Sequence, residues 1–284
     1  MRRCVLPVAI LAALSTACSS SHATGAPASR AAPNQVSVSP VVVLVHGFDP
    51  TGDGYSCAHY WGAAEVAFRR WDPSVRIVTV GSVRGDRDCD MTIGSGGPST
   101  PIGVIGRELA NDVYRRFSAR GIPVALVGHS MGGLVVRSAL AQAGSNGGPP
   151  FLLVPYAVTI SSPHGGTDAL LRCGLIECHQ MGFGSPFLRR LEPHPQGRGG
   201  TVWTLFGSAS DELVTPASAM GMRAAHRFLY ERPAYSHDSI IDDASDATDA
   251  RRREITAGSS VVRSGVPHSL RAIFLAATTG SPEG

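Results

Sequence analysis

Apolar positions along this 284-residue chain follow two periods. Val41-Val42-Val43-Leu44-Val45, Val75 to Val80, Ile122 to Val127, Leu152 to Ile160 and Val202 to Phe206 are short, largely unbroken apolar runs. Runs of this length, rich in Val and Ile, suit strands buried on both faces of a parallel sheet. Between them the apolar residues recur every three or four positions. His59 to Trp71 places Trp61, Ala64, Phe68 and Trp71 at helical spacing, and Ile102 to Arg120 does so through Ile102, Ile105, Leu109, Val113 and Phe117. Leu134 to Gln142 turns Leu134, Val135, Ala139 and Leu140 to one side. Ser218 to Tyr230 and Val266 to Ala277 read as two further helices. Strands alternating with helices predict an α/β chain with a mostly parallel, doubly wound sheet.

Two stretches interrupt the alternation. Asp86 to Thr100 is polar and rich in Gly and Pro, hence a loop. Thr167 to Arg198 mixes Gly, Pro, Cys173 and Cys178 with Leu170, Leu171, Leu175, Ile176, Met181, Phe183 and Phe187. Long irregular segments in a compact domain usually serve as lids or binding loops. A lid-like insert is therefore expected over about 167–200, after a strand end, on the face where α/β sheets take ligands.

Composition narrows the class. The hydrophobic content of 43% is ample for a core, and the formal charge is only +3. All 25 basic residues are Arg, scattered except for Arg251-Arg252-Arg253. That triplet reads as a solvated helix face, and the near-balanced charge excludes an electrostatic footprint for nucleic acid.

The N-terminus reads as an export signal over 1–18. Arg2-Arg3 precede an apolar run from Val5 to Ala17 that is too short to span a bilayer. It ends at Leu14-Ser15-Thr16-Ala17-Cys18, similar to a bacterial lipobox. Lipidation of Cys18 would anchor a cell-surface protein to an outer membrane face. Plain secretion, with cleavage after Ser21-His22-Ala23, is the rival. Residues 19–40, rich in Ser, Ala and Pro, suit a linker before a domain spanning 41–280. Export also bears on the cysteines. With Cys4 and Cys18 set aside, Cys57, Cys89, Cys173 and Cys178 form an even set suited to disulfides. Cys173–Cys178 is the expected local pair, which leaves Cys57–Cys89. No C-x2-C pair points to zinc.

The chemistry centres on Gly128-His129-Ser130-Met131-Gly132-Gly133, directly after the Ile122–Val127 run. A G-x-S-x-G sequence between strand and helix makes a sharp turn that lifts the serine hydroxyl clear of the chain. Ser130 is the candidate nucleophile. A serine needs a base, and the base needs an orienting carboxylate. In such sheets the acid and then the histidine follow the serine in sequence. Asp211, in the small-residue turn after Val202–Phe206, is the candidate acid, with Glu212 as substitute. Among His226, His237 and His268, the loop residue His237 is the candidate base and His268 the runner-up. The backbone N–H groups of Met131 and Phe48 are the candidate oxyanion donors, the latter from Val45-His46-Gly47-Phe48 at the end of the first strand. His46 itself reads as a packed loop residue.

Val45 to Phe48, Gly128 to Gly133 and Ser161-Ser162-Pro163-His164-Gly165-Gly166-Thr167 together resemble the α/β-hydrolase lipases and esterases. The nearest resemblance is to exported bacterial triacylglycerol-lipase-like proteins, over about residues 41 to 280. A strand in those lipases ends in a similar TPHxGT segment; here Ser162 stands for the usual Thr. The resemblance implies an α/β-hydrolase fold with an inserted cap, and hydrolysis of carboxylic esters through an acyl-enzyme. It implies a small-molecule or lipid ester as partner, and a monomer is expected. No cofactor is called for, and no ligand set for the calcium of some relatives is found. Acyl transfer by the same residues, or a non-catalytic binding protein on this scaffold, are the alternatives.

Overall fold

The structure, a computed structural model, describes residues 40–93, 97, 99–170 and 172–283. The expected export segment with Cys18, the linker up to residue 39, and Leu171 lie outside the described residues.

A nine-stranded sheet forms the centre. Its strands are β1 (Val41–Val45), β2 (Ile77–Gly81), β3 (Met91–Thr92), β4 (Val124–His129), β5 (Tyr156–Ile160), β6 (Val202–Ser208), β7 (His226–Arg232), β8 (Ala250–Thr256) and β9 (Ser259–Val266). Their spatial order is β3-β2-β1-β4-β5-β6-β7-β8-β9. Every pairing from β3 to β7 is parallel, and β8 and β9 add an antiparallel margin. The helices are α1 (Cys57–Tyr60), α2 (Gly62–Trp71), α3 (Ile102–Arg116), α4 (Met131–Gln142), α5 (Ile176–Met181), α6 (Pro186–Arg190), α7 (Pro216–Ala219) and α8 (Ser269–Thr279).

The strand order locates the site. From β1 the chain works outward through β2 and β3, then returns to β4 beside β1 and builds the other half. Ligands in open α/β sheets bind beyond the carboxyl ends of the strands at such a reversal. Here those ends are Val45 of β1 and Gly128-His129 of β4, with Val45 paired to Gly128.

Two cores cover the sheet, and β1 feeds both because successive side chains point to opposite faces. Val41, Val43 and Val45 join α3 and α4 residues such as Ile105, Leu109, Leu134 and Val135. Val42 and Leu44 join Trp61, Ala64 and Phe68, with Leu270, Ile273 and Phe274 of α8. All of β1 is buried, which is why its run is apolar at every position.

Several elements differ from the sequence expectation. Ser218 to Tyr230 is not a helix: α7 ends at Ala219, and His226 opens β7. The parallel register Thr204↔His226 through Ser208↔Tyr230 overrides the local helical spacing. Arg251-Arg252-Arg253 lies on β8, not on a solvated helix face. Arg252 is fully buried, with its guanidinium 4.1 Å from the Phe228 ring centroid and 3.0 Å from Glu283. An aromatic face and a carboxylate together offset the burial of that charge. Val266 ends β9, and the terminal helix starts at Ser269. The His59–Trp71 helix divides into α1 and α2, the Asp86–Thr100 loop contains β3, and β5 starts only at Tyr156.

The insert is less irregular than its sequence suggests, since it carries α5 and α6. It is tied to the body of the domain. Ile102 N–H donates to Gln180 and Thr100 N–H to Glu177, while Arg137 of α4 donates to the carbonyls of Leu191 and Glu192. Disulfides join Cys57 to Cys89 and Cys173 to Cys178. Among the described residues no helix is long and apolar enough to cross a membrane.

Candidate active site

Ser130 stands between the last residue of β4 and the first of α4, at φ 55° and ψ −127°. A residue with a Cβ rarely adopts a positive φ, so the surroundings must hold it there. Its N–H donates to Ile160 O at 2.9 Å, and its carbonyl accepts from Gly133 N–H at 3.1 Å. The two glycines of the motif exist for close approach. A Cβ on Gly128 would lie 2.5 Å from the Gly132 backbone, and one on Gly132 would lie 2.2 Å from Val45 O. The turn can be this tight only without side chains there.

The loops after β6 and β7 bring the other two candidates to the serine. Ser130 Oγ is 2.9 Å from His237 Nε2. His237 Nδ1 is 3.0 Å from Asp211 Oδ2 and 3.1 Å from Oδ1. The His237 and Asp211 side chains are only 6% and 1% exposed, so water competes little for these contacts. Burial works against ionisation of Asp211, but the His237 hydrogen bond and charge, with the Val214 N–H, hold its carboxyl below the usual value. The carboxylate also accepts the Leu213 N–H.

The other candidates sit elsewhere. Glu212 contacts the main chain of His237: its carboxylate accepts the His237 N–H at 3.1 Å. His268 has both ring nitrogens engaged 2.7 Å from carboxylates, Asp243 on one side and Asp249 on the other. His226 stacks on Phe228 within β7.

The turn after β1 lies against Ser130, since a Cβ on Gly47 would stand 3.0 Å from Ser130 Cβ. Among the described residues, neither the Phe48 N–H nor the Met131 N–H has an acceptor. His46 is buried, with Nδ1 2.8 Å from Gly47 O and Nε2 2.8 Å from Asp86. Gly47 C=O and Phe48 N–H belong to one planar peptide, so His46 sets the direction of that N–H. Burial favours a neutral Asp86, but His46 and the N–H groups of Val83 and Tyr55 keep its carboxyl below the usual value.

The Pro163–Thr167 segment braces the loop that carries Asp211. Thr167 Oγ1 donates to Leu213 O at 2.5 Å, and Ser218 Oγ donates to Gly166 O at 2.6 Å. His164 is buried, with Nε2 2.9 Å from Thr159 Oγ1. Burial, then the neighbouring Arg137 charge, holds it well below the usual histidine value.

Sequence reasoning passed over His129 and Tyr60. His129 is the variable residue of the motif, and Tyr60 sits among apolar helix positions; neither spacing nor residue type singles them out. His129, His237 and Asp238 bring potential ligand atoms within 4.8 Å of one another. They do not fit a metal, because both His129 nitrogens are engaged: Nε2 donates to His237 O at 2.9 Å, and Nδ1 accepts the Tyr60 hydroxyl at 2.5 Å.

No protein-family model and no curated protein matches the chain. Solved structures resemble it at low identity. The mature Bacillus licheniformis lipase BlEst2 is 18% identical, with a TM-score of 0.49, over 72% of this chain and 87% of that one. A lipase-esterase related protein from Clostridium acetobutylicum is 13% identical, with a TM-score of 0.48, over 72% and 90%. Aspergillus fumigatus lipase B is 17% identical, with a TM-score of 0.44, over 72% of this chain and 49% of that one. The chain spans 47% of the propeptide form of the Bacillus lipase. The strand order, the reversal between β1 and β4 and the serine elbow at that reversal give this chain the α/β-hydrolase fold.

Proposed function

We propose that the chain is an exported serine hydrolase that cleaves carboxylic esters with apolar acyl groups. The observation that carries this reading is the continuous contact line Asp211–His237–Ser130, at 3.0 and 2.9 Å. In this reading the Ser130 hydroxyl attacks the acyl carbon while His237 Nε2 takes its proton. Asp211 keeps the imidazole in the tautomer that can accept that proton, and stabilises its charge. The N–H groups of Phe48 and Met131 receive the oxyanion. Return of the proton from His237 expels the alcohol and leaves an acyl-Ser130. Water, deprotonated by His237, then frees the acid.

Apolar acyl groups are favoured by exposed apolar residues on the loops beyond β5 and β6. Leu213, two residues from Asp211, is 40% exposed, and Phe183, packed on Gly166, is 50% exposed. Export is supported by the two disulfides, which suit an oxidising compartment, and by the sequence up to Cys18.

A fluorophosphonate probe tests the nucleophile directly. It should label the wild-type protein and not Ser130→Ala. A p-nitrophenyl ester series from acetyl to lauroyl should show hydrolysis that tracks labelling. Equal labelling of both proteins, or no hydrolysis of any ester, would overturn the reading.

A further inference from the structure

One hydrogen-bonded chain is not used by that mechanism. Gly47 N–H donates to Tyr60 Oη at 3.0 Å. The Tyr60 hydroxyl proton is then directed to His129 Nδ1, at 2.5 Å. His129 Nε2–H in turn donates to the backbone carbonyl of His237, at 2.9 Å. Each member has one workable role. A carbonyl only accepts, so His129 carries its proton on Nε2 and offers Nδ1 as acceptor; an N–H only donates, so the Tyr60 oxygen accepts from Gly47. All donors therefore run one way, from the turn beside Ser130 to the loop that holds His237.

We infer that Tyr60 and His129 are positioning residues that lock the Gly47–Phe48 turn and the His237 loop into one register. This rests on the hydrolase reading above and adds to it how the oxyanion donor and the base keep their places relative to Ser130. Ser130 is the residue after His129, so one imidazole spaces nucleophile, base and oxyanion turn. The His237 peptide is then held from both sides, at its carbonyl by His129 and at its N–H by Glu212.

The protonation states agree with this wiring. His129 is pushed down to about 3 by burial and by the neighbouring His237, so it is neutral near pH 7. Burial also drives the Tyr60 phenol far above its usual value, so it keeps the proton it donates. The chain also reaches α1, where the Cys57–Cys89 disulfide fixes the helix that carries Tyr60.

The test uses the full chain and reads kcat and KM per site titrated with the fluorophosphonate, on p-nitrophenyl butyrate. Misplacing a reacting group by a fraction of an ångström to about 1 Å lowers turnover by up to about a hundredfold. Tyr60→Phe keeps the ring and loses the hydroxyl; its kcat should fall about ten- to a hundredfold with KM within about twofold. His129→Leu should fall at least as far. His129→Gln, whose amide can still donate to the His237 carbonyl, should recover part of the loss. Because the two residues act in series, Tyr60→Phe/His129→Leu should lose no more than the worse single variant. A purely structural role would lower the number of titratable sites and the Tm while leaving kcat per site unchanged. That result, or losses that multiply in the double variant, would overturn the inference. If Tyr60→Phe does not accumulate, comparison of His129→Leu with His129→Gln decides: equal kcat per site in the two overturns it. A wild-type protein inert to the probe and to all esters would instead defeat the hydrolase reading.

Discussion

Glu212 accepts the backbone N–H of His237 at 3.1 Å. Its neighbour Asp211 accepts from the ring of the same residue, so two consecutive acids hold different parts of one histidine. Their replacement should separate these roles. Asp211→Asn should lower kcat about 10³–10⁴-fold, because an amide can present its N–H to the ring and favour the wrong tautomer. Glu212→Gln keeps an oxygen for the peptide N–H and should cost less than about tenfold. Steady-state kinetics of the two variants on one ester checks the order.

Ser130→Ala should lose about 10⁴–10⁶ in kcat on a p-nitrophenyl ester, and His237→Ala should match it. His268→Gln should stay near wild type, because both its ring nitrogens face Asp243 and Asp249. Parallel assays of the three variants assign the base. Activity lost with His268 and retained without His237 would reverse the assignment.

His268 should instead give the protein a pH-dependent stability. Burial disfavours its charge, but the hydrogen bonds it donates to Asp249 and Asp243 outweigh this and raise its pKa. Its contribution is therefore complete below the unfolded histidine value of about 6.5 and is lost as pH rises through the higher folded value. The partners run the other way. Asp243, despite its burial, and Asp249, through its His268 hydrogen bond, both have lowered pKa values. Their contribution is present above about pH 3.9 and fades as pH falls through the folded values. The Tm difference between wild type and His268→Gln should be largest between these limits and shrink on either side.

Gly132→Ala should damage folding before it damages chemistry. The added methyl would stand 2.2 Å from Val45 O and 2.5 Å from His46 O, both rigid backbone atoms. Overpacking against backbone at this site should cost about 3 kcal/mol or more, visible as a lowered urea midpoint.

The two disulfides should contribute unequally. Cys57–Cys89 closes a separation of 32 residues and Cys173–Cys178 one of 5. Loop-closure entropy sets their contributions at about 3.7 and about 2 kcal/mol. Urea unfolding of the Cys57→Ser/Cys89→Ser and Cys173→Ser/Cys178→Ser variants should show the larger loss for the first pair.

The sequence by itself determined what depends on neighbours in the chain. Val41–Val45 is apolar at every position because both sheet faces are covered, so its burial was legible. The Ile102–Arg116 helix was legible from its 3–4 residue spacing. The turn at Ser130 was legible because Gly128 and Gly132 are local requirements of that backbone. What depends on distant partners was not. Arg251–Arg253 has no local mark of a strand; it becomes β8 because β7 offers an open edge, and Arg252 is buried because Phe228 and Glu283 arrive from elsewhere in the chain. Loop position and chain order favour His237 over His226 and His268 in the sequence, but do not show what each ring touches. Only the crossing of the loops after β4, β6 and β7 puts His237 between Asp211 and Ser130, while β6 holds His226 and two carboxylates hold His268. The chain from Gly47 through Tyr60 and His129 to His237 spans four separate segments. A hydrogen bond needs about 3 Å and a direction, and only the packed fold supplies both.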